Sequence, residues 1–175
     1  MSSVIALAAL GFTVASFWWL QARRGTLRTY VPQVYAAAIT PERRCRLRFP
    51  LTFYNDGAAA QAITDMRVVV VGDVEHALPM ITFRRTLKPL SDDVDDFAHT
   101  FPVLGRQAVS RIVEFGSDEW APPVASSIRV RLEVREGHSD SWSSLTEFPL
   151  VTPDEEKARA YLAHRCDPTD GRPAD

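Results

Sequence analysis

CRLRFPLTFYNDG, residues 45–57, alternates without a break before it turns. Cys45, Leu47, Phe49, Leu51 and Phe53 fall on one side; Arg46, Arg48, Pro50, Thr52 and Tyr54 fall on the other. A period of two is the side-chain geometry of a β-strand buried on one face. Asn55, Asp56 and Gly57 follow with turn chemistry, because these residues tolerate positive φ and support tight turns. A strand, a turn and a second strand are therefore expected. The next run, Ile63 to Val71, ends in four consecutive valines (Val68–Val71) and reads as a central strand covered on both faces.

The same reading extends along the chain. Strands are expected at Leu27 to Val31, Met80 to Thr86, Ala98 to Val103, Val109 to Phe115, Ile128 to Arg135 and Trp142 to Val151. The clearest of these sets Ile128, Val130, Leu132 and Val134 inward against Arg129, Arg131, Glu133 and Arg135 outward. Turn signals separate the runs at Gly72-Asp73, Leu104-Gly105-Arg106, Pro122-Pro123 and Glu136-Gly137. Seven or eight short strands at regular spacing predict an all-β chain, an antiparallel β-sandwich over residues 25–152.

Both ends differ from this pattern. Val4 to Leu20 (VIALAALGFTVASFWWL) carries no charge, and Gln21 and Ala22 extend the run to Arg23. At ~1.5 Å per residue it approaches the ~30 Å of a hydrocarbon core, so residues 1–24 read as a transmembrane helix with its basic flank. Phe17, Trp18 and Trp19 sit where aromatic rings favour the interface. A cleaved signal peptide needs a basic start and a small-residue cleavage site, and neither pattern is present here. Arg23, Arg24 and Arg28 follow the span with no acid before Glu42, which by the positive-inside rule leaves the soluble domain in the cytoplasm of a bacterial cell, tethered to its inner membrane. Gly11 and Ala15 have the small-xxx-small spacing that lets two membrane helices approach. At the other end, Thr152 as N-cap, Pro153 at the first position and Glu155 in a capping box predict a helix over 153–166 with an apolar stripe of Ala158, Tyr161 and Leu162. His164 and Arg165 would then meet its negative end, and 167–175 would form a disordered tail.

Composition narrows the function. The 20 basic and 22 acidic residues leave the soluble part near neutrality, which argues against a nucleic-acid partner. Only Lys88 and Lys157 are lysine, a bias towards arginine that fits a high-GC bacterial source. Two cysteines, Cys45 and Cys166, are too few for a disulfide scaffold, and Cys45 stands where a small buried residue is wanted.

The stretch RLRFPLTFYNDGAAAQAITDMRVVV (46–70) resembles the strand–turn–strand entry of immunoglobulin-like sandwiches of the bacterial CARDB type, and FPVLGRQAVSRIVEF (101–115) resembles their Gly-containing turn between two strands. The whole layout is similar to small single-pass membrane proteins of high-GC bacteria that carry such a sandwich just after the membrane helix. The resemblance implies a structural module and brings no catalytic residues. The Cys–Trp–Cys pattern of antibody domains is missing.

Reactive constellations are weak. Gly137-His138-Ser139-Asp140-Ser141 resembles in part the nucleophile elbow G-x-S-x-G, but the last glycine is replaced and a strand rather than a helix follows. A hydrolase using Ser139 with His138, His99 or His76 is the alternative this string supports. Asp92, Asp93, Asp95 and Asp96 offer oxygens to a hard cation, yet lack the glycine and terminal glutamate of an EF-hand loop; a charged surface loop explains them better. His76, His99, His138 and His164 never take zinc-ligand spacing. Trp120 and Trp142 adjoin turns, as binding anchors or as plugs at the end of the sandwich. The sequence thus predicts no catalytic, metal or cofactor residue and no small-molecule substrate. It points to a non-enzymatic protein-interaction or assembly module whose partners are the lipid bilayer and another protein, or to an accessory subunit of a membrane complex.

Overall fold

The computed structural model describes residues 2–40, 44–88, 93, 96–159 and 162–166. Helix α1 (Ser2–Phe17) continues as one π-helical turn, Trp18–Ala22. The strands are β1 (Leu27–Thr29), β2 (Val34–Ile39), β3 (Cys45–Asn55), β4 (Gln61–Val71), β5 (His76–Arg84), β6 (Asp96–Phe97), β7 (Phe101–Val103), β8 (Ala108–Ser117), β9 (Ser127–Glu136) and β10 (Ser143–Val151), then helix α2 (Glu155–Arg159) and β11 (Ala163–Arg165). All strand pairings are antiparallel.

One ladder folds into two layers because β5 serves both. Arg67–Val70 of β4 pair with His76–Pro79, and from Met80 on the same strand pairs with β8, with an irregularity between Met80 and Thr82. A bulge bends a strand and lets it change sheets. The first layer runs β10–β9–β4, with β7 taking the place of β5 beside Gln61–Ile63. The second runs β8–β3–β2–β11, and β1 pairs with the end of β3. Aromatic rings join the layers: Phe49 meets Phe148 edge-on at 5.8 Å, Phe53 meets Phe101 at 5.8 Å, and the Tyr35 hydroxyl donates to the Val151 carbonyl. The fold is an antiparallel sandwich, as the alternation predicted.

Local chemistry explains the ladder. All five inward residues of β3 are at most 1% exposed. Pro50 sits where the β2 pairing has ended at Arg48 and the β1 pairing has not begun at Phe53, so no ladder donor is lost on that side. The turn after β3 forms, but for a different reason from the expected one. The Gly57 amide donates to Asn55 Oδ1 (2.9 Å), and Asn55 Nδ2 donates to the Ala59 and Val103 carbonyls. Among the described residues, the left-handed φ values lie instead at Arg106, Ala125 and Gly137. Gly57 is needed because a Cβ there would lie 2.0 Å from the backbone nitrogen of Gly25.

The C-terminal prediction requires correction. Among the described residues the helix spans Glu155–Arg159, and its cap is Asp154, whose Oδ1 accepts from the Lys157 amide at 2.9 Å. Thr152 is buried in the core margin, where its hydroxyl bonds the Ser126 amide and the Pro123 carbonyl. The chain then returns as β11 beside β2, so His164 lies in a strand rather than at a helix end. Tyr161 and residues 167–175, the predicted tail, lie outside the described residues.

Candidate functional site

The junction between α1 and the sandwich is the most heavily built feature outside the core. Residues Ser3–Ala22 form a helix long and apolar enough to cross a membrane, with nothing of it buried against the sandwich. The Thr13 hydroxyl donates to the Ala9 carbonyl at 2.9 Å, which satisfies it within the helix. Two turns of the sandwich clasp the residues that follow. The Arg23 carbonyl accepts from the Ala58 and Ala59 amides (2.8 and 3.2 Å), and Arg23 Nη2 donates to the Asp56 carbonyl. The Thr26 amide donates to Asp56 Oδ1 and Gln61 Nε2 to the Gly25 carbonyl. From the β7–β8 turn, Arg106 Nη2 donates to the Trp19 carbonyl at 2.9 Å, while the Arg23 guanidinium stacks on the Trp19 ring. A Cβ at Gly105 would strike the Ala58 carbonyl oxygen at 1.9 Å, so the two turns are pressed together. Helix and sandwich therefore meet through directed hydrogen bonds, without a linker. Arg24, Arg28 and Arg106 are exposed at this end.

A second polar site was not legible in the sequence. Arg48, which the alternation places outward to solvent, is buried, and so is its cross-strand neighbour Glu114. Arg48 Nε donates to Glu114 Oε2 at 2.7 Å, Arg84 Nε to the same oxygen at 3.0 Å, and Arg48 Nη1 pairs with Asp93 Oδ2 at 2.8 Å. The Arg48, Glu114 and Asp93 side chains are at most 5% exposed. Asp93, expected in a solvated acidic loop, thus neutralises a buried arginine, and its Oδ1 is buried with no hydrogen-bond partner. Asp96 lies in β6, where its carbonyl accepts from Thr82 Oγ1; Asp92 and Asp95 lie outside the described residues. Among the described residues no cluster of histidine, cysteine or carboxylate side chains has the arrangement of a metal site.

Ser139 does not converge with His76 or His99, the two candidate histidines outside its own turn. Ser139 lies in the exposed β9–β10 turn with its hydroxyl on Ser141 Oγ at 2.7 Å, beside Ala62, to whose carbonyl the Gly137 amide donates. His76 pairs with Val70, eight residues further along β4, or roughly 26 Å at ~3.3 Å per residue. There it stacks on Trp120 at 4.2 Å. His99 bonds the Phe97 carbonyl and meets the Phe83 ring edge-on, on the β7 flank of β4 and opposite to β9. Trp142 is half-buried between the guanidiniums of Arg67 and Arg135, 4.2 and 4.4 Å from its ring.

The buried polar groups of β2 and β11 form a third cluster. His164 packs on Tyr35, its Nε2 is buried and unpartnered, and burial holds its pKa below the ordinary histidine range. Burial also raises the Tyr35 hydroxyl and pushes the Cys45 and Cys166 thiols up to about 12. Both cysteines are free.

No family model matches this chain, and no curated protein is significantly similar to it. Among solved structures it is similar to one assigned to an ApaA protein from Bordetella pertussis, with 9% identity and a TM-score of 0.40, covering 75% of this chain and 97% of that one.

Proposed function

We propose that this chain is a bacterial single-pass inner-membrane protein whose immunoglobulin-like, CARDB-type sandwich works without catalysis, as a protein-interaction or assembly module held against the cytoplasmic face. The observation that carries this reading is the bare apolar helix joined directly to the clasp of Arg23, Gly25, Gly57, Ala58 and Arg106. A hydrocarbon environment removes the cost of exposing the apolar side chains of this twenty-residue helix, and the clasp holds the arginines where phospholipid headgroups begin. Partner docking through strand addition falls to β10, whose outer edge has no strand beside it among the described residues. Its irregularity near Ser144 and its Pro149 narrow the usable stretch to Thr146–Phe148.

The side of the membrane is tested by labelling Asp73→Cys, at an exposed turn far from the helix, with an impermeant maleimide. The native cysteines are buried and silent. No labelling in intact cells and labelling after permeabilisation support the cytoplasmic orientation; labelling in intact cells overturns it. A second reading, accessory subunit of a membrane complex, is favoured by Gly11, whose surroundings on the helix are empty to 4 Å and leave the small-residue stripe open to another helix. In that case deletion of a neighbouring membrane subunit depletes this protein, and Gly11→Leu reproduces the loss.

A further inference from the structure

The clasp closes on Arg23 to Gly25, just after the apolar helix, but the β7–β8 turn reaches into the helix itself. Arg106 Nη2 donates to the Trp19 carbonyl at 2.9 Å, 87 residues away in the chain. Trp19 stands within the Ser3–Ala22 span, about 4.5 Å short of its end at ~1.5 Å per residue. The hydrogen bond therefore fixes the depth of a guanidinium: it lies level with Trp18 and Trp19, where hydrocarbon gives way to headgroups. The contact suits the helix, because carbonyls of the last turn lack intrahelical donors and favour a cation. It uses one of the five N–H donors of the guanidinium. Among the described residues no other acceptor meets the Arg106 side chain. At this depth water is scarce, and a charged donor left without a partner is costly.

The surface around Arg106 suits the same depth. Leu104, in the same turn, is 48% exposed. The β3–β4 turn beside it ends in Ala58, Ala59 and Ala60, where exposed turns ordinarily carry polar residues. The close approach of Gly105 to the Ala58 carbonyl sets the two turns side by side. Charge is one-sided. Residues 23–31, 55–60 and 102–108 hold Arg23, Arg24, Arg28 and Arg106 against a single acid, Asp56. That carboxylate already accepts from the Thr26 amide and lies 3.5 Å from Arg28. Glu136 and Asp140 belong to the β9–β10 turn, on the opposite flank of β4 from β7.

We propose that the β7–β8 turn is immersed in the lipid surface and binds the headgroup of an anionic phospholipid: Leu104 rests at the acyl boundary, and Arg106, bonded to the Trp19 carbonyl, holds the phosphate. The proposal rests on the membrane reading above and adds to it a second hold on the bilayer, which fixes how the sandwich stands on the membrane. A phosphate ester offers unbridged oxygens that accept charge-assisted hydrogen bonds from a planar guanidinium, and Arg24 and Arg28 strengthen the field from the clasp. An anionic lipid fits better than a zwitterionic one. The ammonium of phosphatidylcholine cancels the phosphate charge and faces the same arginines, whereas phosphatidylglycerol brings a net negative charge to a surface of net positive charge.

The test uses the full chain in nanodiscs of phosphatidylcholine mixed with phosphatidylglycerol, with a nitroxide on Gln107→Cys, an exposed position beside Arg106. The native cysteines are buried and stay unlabelled. The Gln107 label is expected to be relaxed by dissolved oxygen and shielded from a water-soluble nickel chelate, and a label on Asp73→Cys to behave in the opposite way. Lipid choice is read separately, on protein without a label, as the preference for immobilising spin-labelled phosphatidylglycerol over spin-labelled phosphatidylcholine. Arg106→Gln is expected to lower that preference about fivefold, and Arg106→Lys, which keeps the charge, to retain most of it. A Gln107 label as open to nickel as the Asp73 label, or a preference that Arg106→Gln leaves unchanged, overturns the proposal and leaves Arg106 as a helix cap alone. A label on Val14→Cys separates this failure from that of the membrane reading. If it is shielded in hydrocarbon while the Gln107 label stands in water, the membrane reading holds and the proposal falls; if it is open to nickel, both fall.

Discussion

Replacing Glu114 by alanine strips the buried charge cluster of the carboxylate shared by Arg48 and Arg84. The Glu114 side chain is 5% exposed and that of Arg48 4%, so water cannot substitute for what is lost. Removing one member of a buried ion pair typically costs about 3–5 kcal/mol, because the surviving charge stays desolvated. Here the lower end applies. Arg48 keeps Asp93 at 2.8 Å and the Thr86 carbonyl, and Arg84, with 16% of its side chain exposed, can turn towards solvent. The expectation is a loss of about 3 kcal/mol. With a urea dependence near 2 kcal/mol per M, the unfolding midpoint of the full chain in nanodiscs falls by about 1.5 M. Glu114→Gln, which keeps one acceptor oxygen, should lose about half as much. The exposed pair Arg129–Glu147, at 3.4 Å, supplies the control: Glu147→Gln leaves the midpoint where it was. If Glu114→Ala shifts the midpoint no further than Glu147→Gln, the cluster is solvated and the segment bearing Asp93 does not cover it.

Three other outcomes follow from the same geometry. Gly57→Ala drives a Cβ to within 2.0 Å of the Gly25 backbone and should cost about 1–3 kcal/mol by opening the clasp, read as a lower midpoint together with faster hydrogen exchange at Ala58 and Ala59. Cys45 and Cys166, with thiols pushed up to about 12, present roughly one thiolate in ten thousand at pH 8; iodoacetamide should leave both unmodified in the native chain and alkylate both in urea. For His164 the folded pKa lies below the ordinary value of 6.5, so the unfolded chain takes up the proton first. Stability is complete above that value and declines as pH falls from it towards the folded pKa, and His164→Gln should flatten this stretch of the pH–stability curve.

What the sequence revealed and what it hid divide along the range of the interactions. β3, β4 and β9 were legible because their burial is one-sided or complete and thus periodic within the strand itself. β2 was missed: VYAAAI is poor in branched residues because α2 packs on it through Ala158, and a strand meeting a helix closely there has no room for larger side chains. The span 153–166 was read as helix because capping chemistry is local, whereas the pairing of β11 with β2 is made to residues more than a hundred positions away. Arg48 carried the pattern of an exposed strand face, and no periodicity announces that Asp93 will cover it. The candidate chemistry met the same limit. The GHSDS string is contiguous and holds His138, but His76 and His99, the other histidines named with Ser139, lie far along or across β4, which register fixes and spacing does not.

Sedimentation of membranes washed with alkaline carbonate tests the central claim most directly, since it asks whether lipid is the solvent of residues 3–22. The full chain should stay in the pellet with those residues still attached. Recovery of the intact chain in the supernatant, or of a sandwich cut free of its N-terminal helix, would contradict the account.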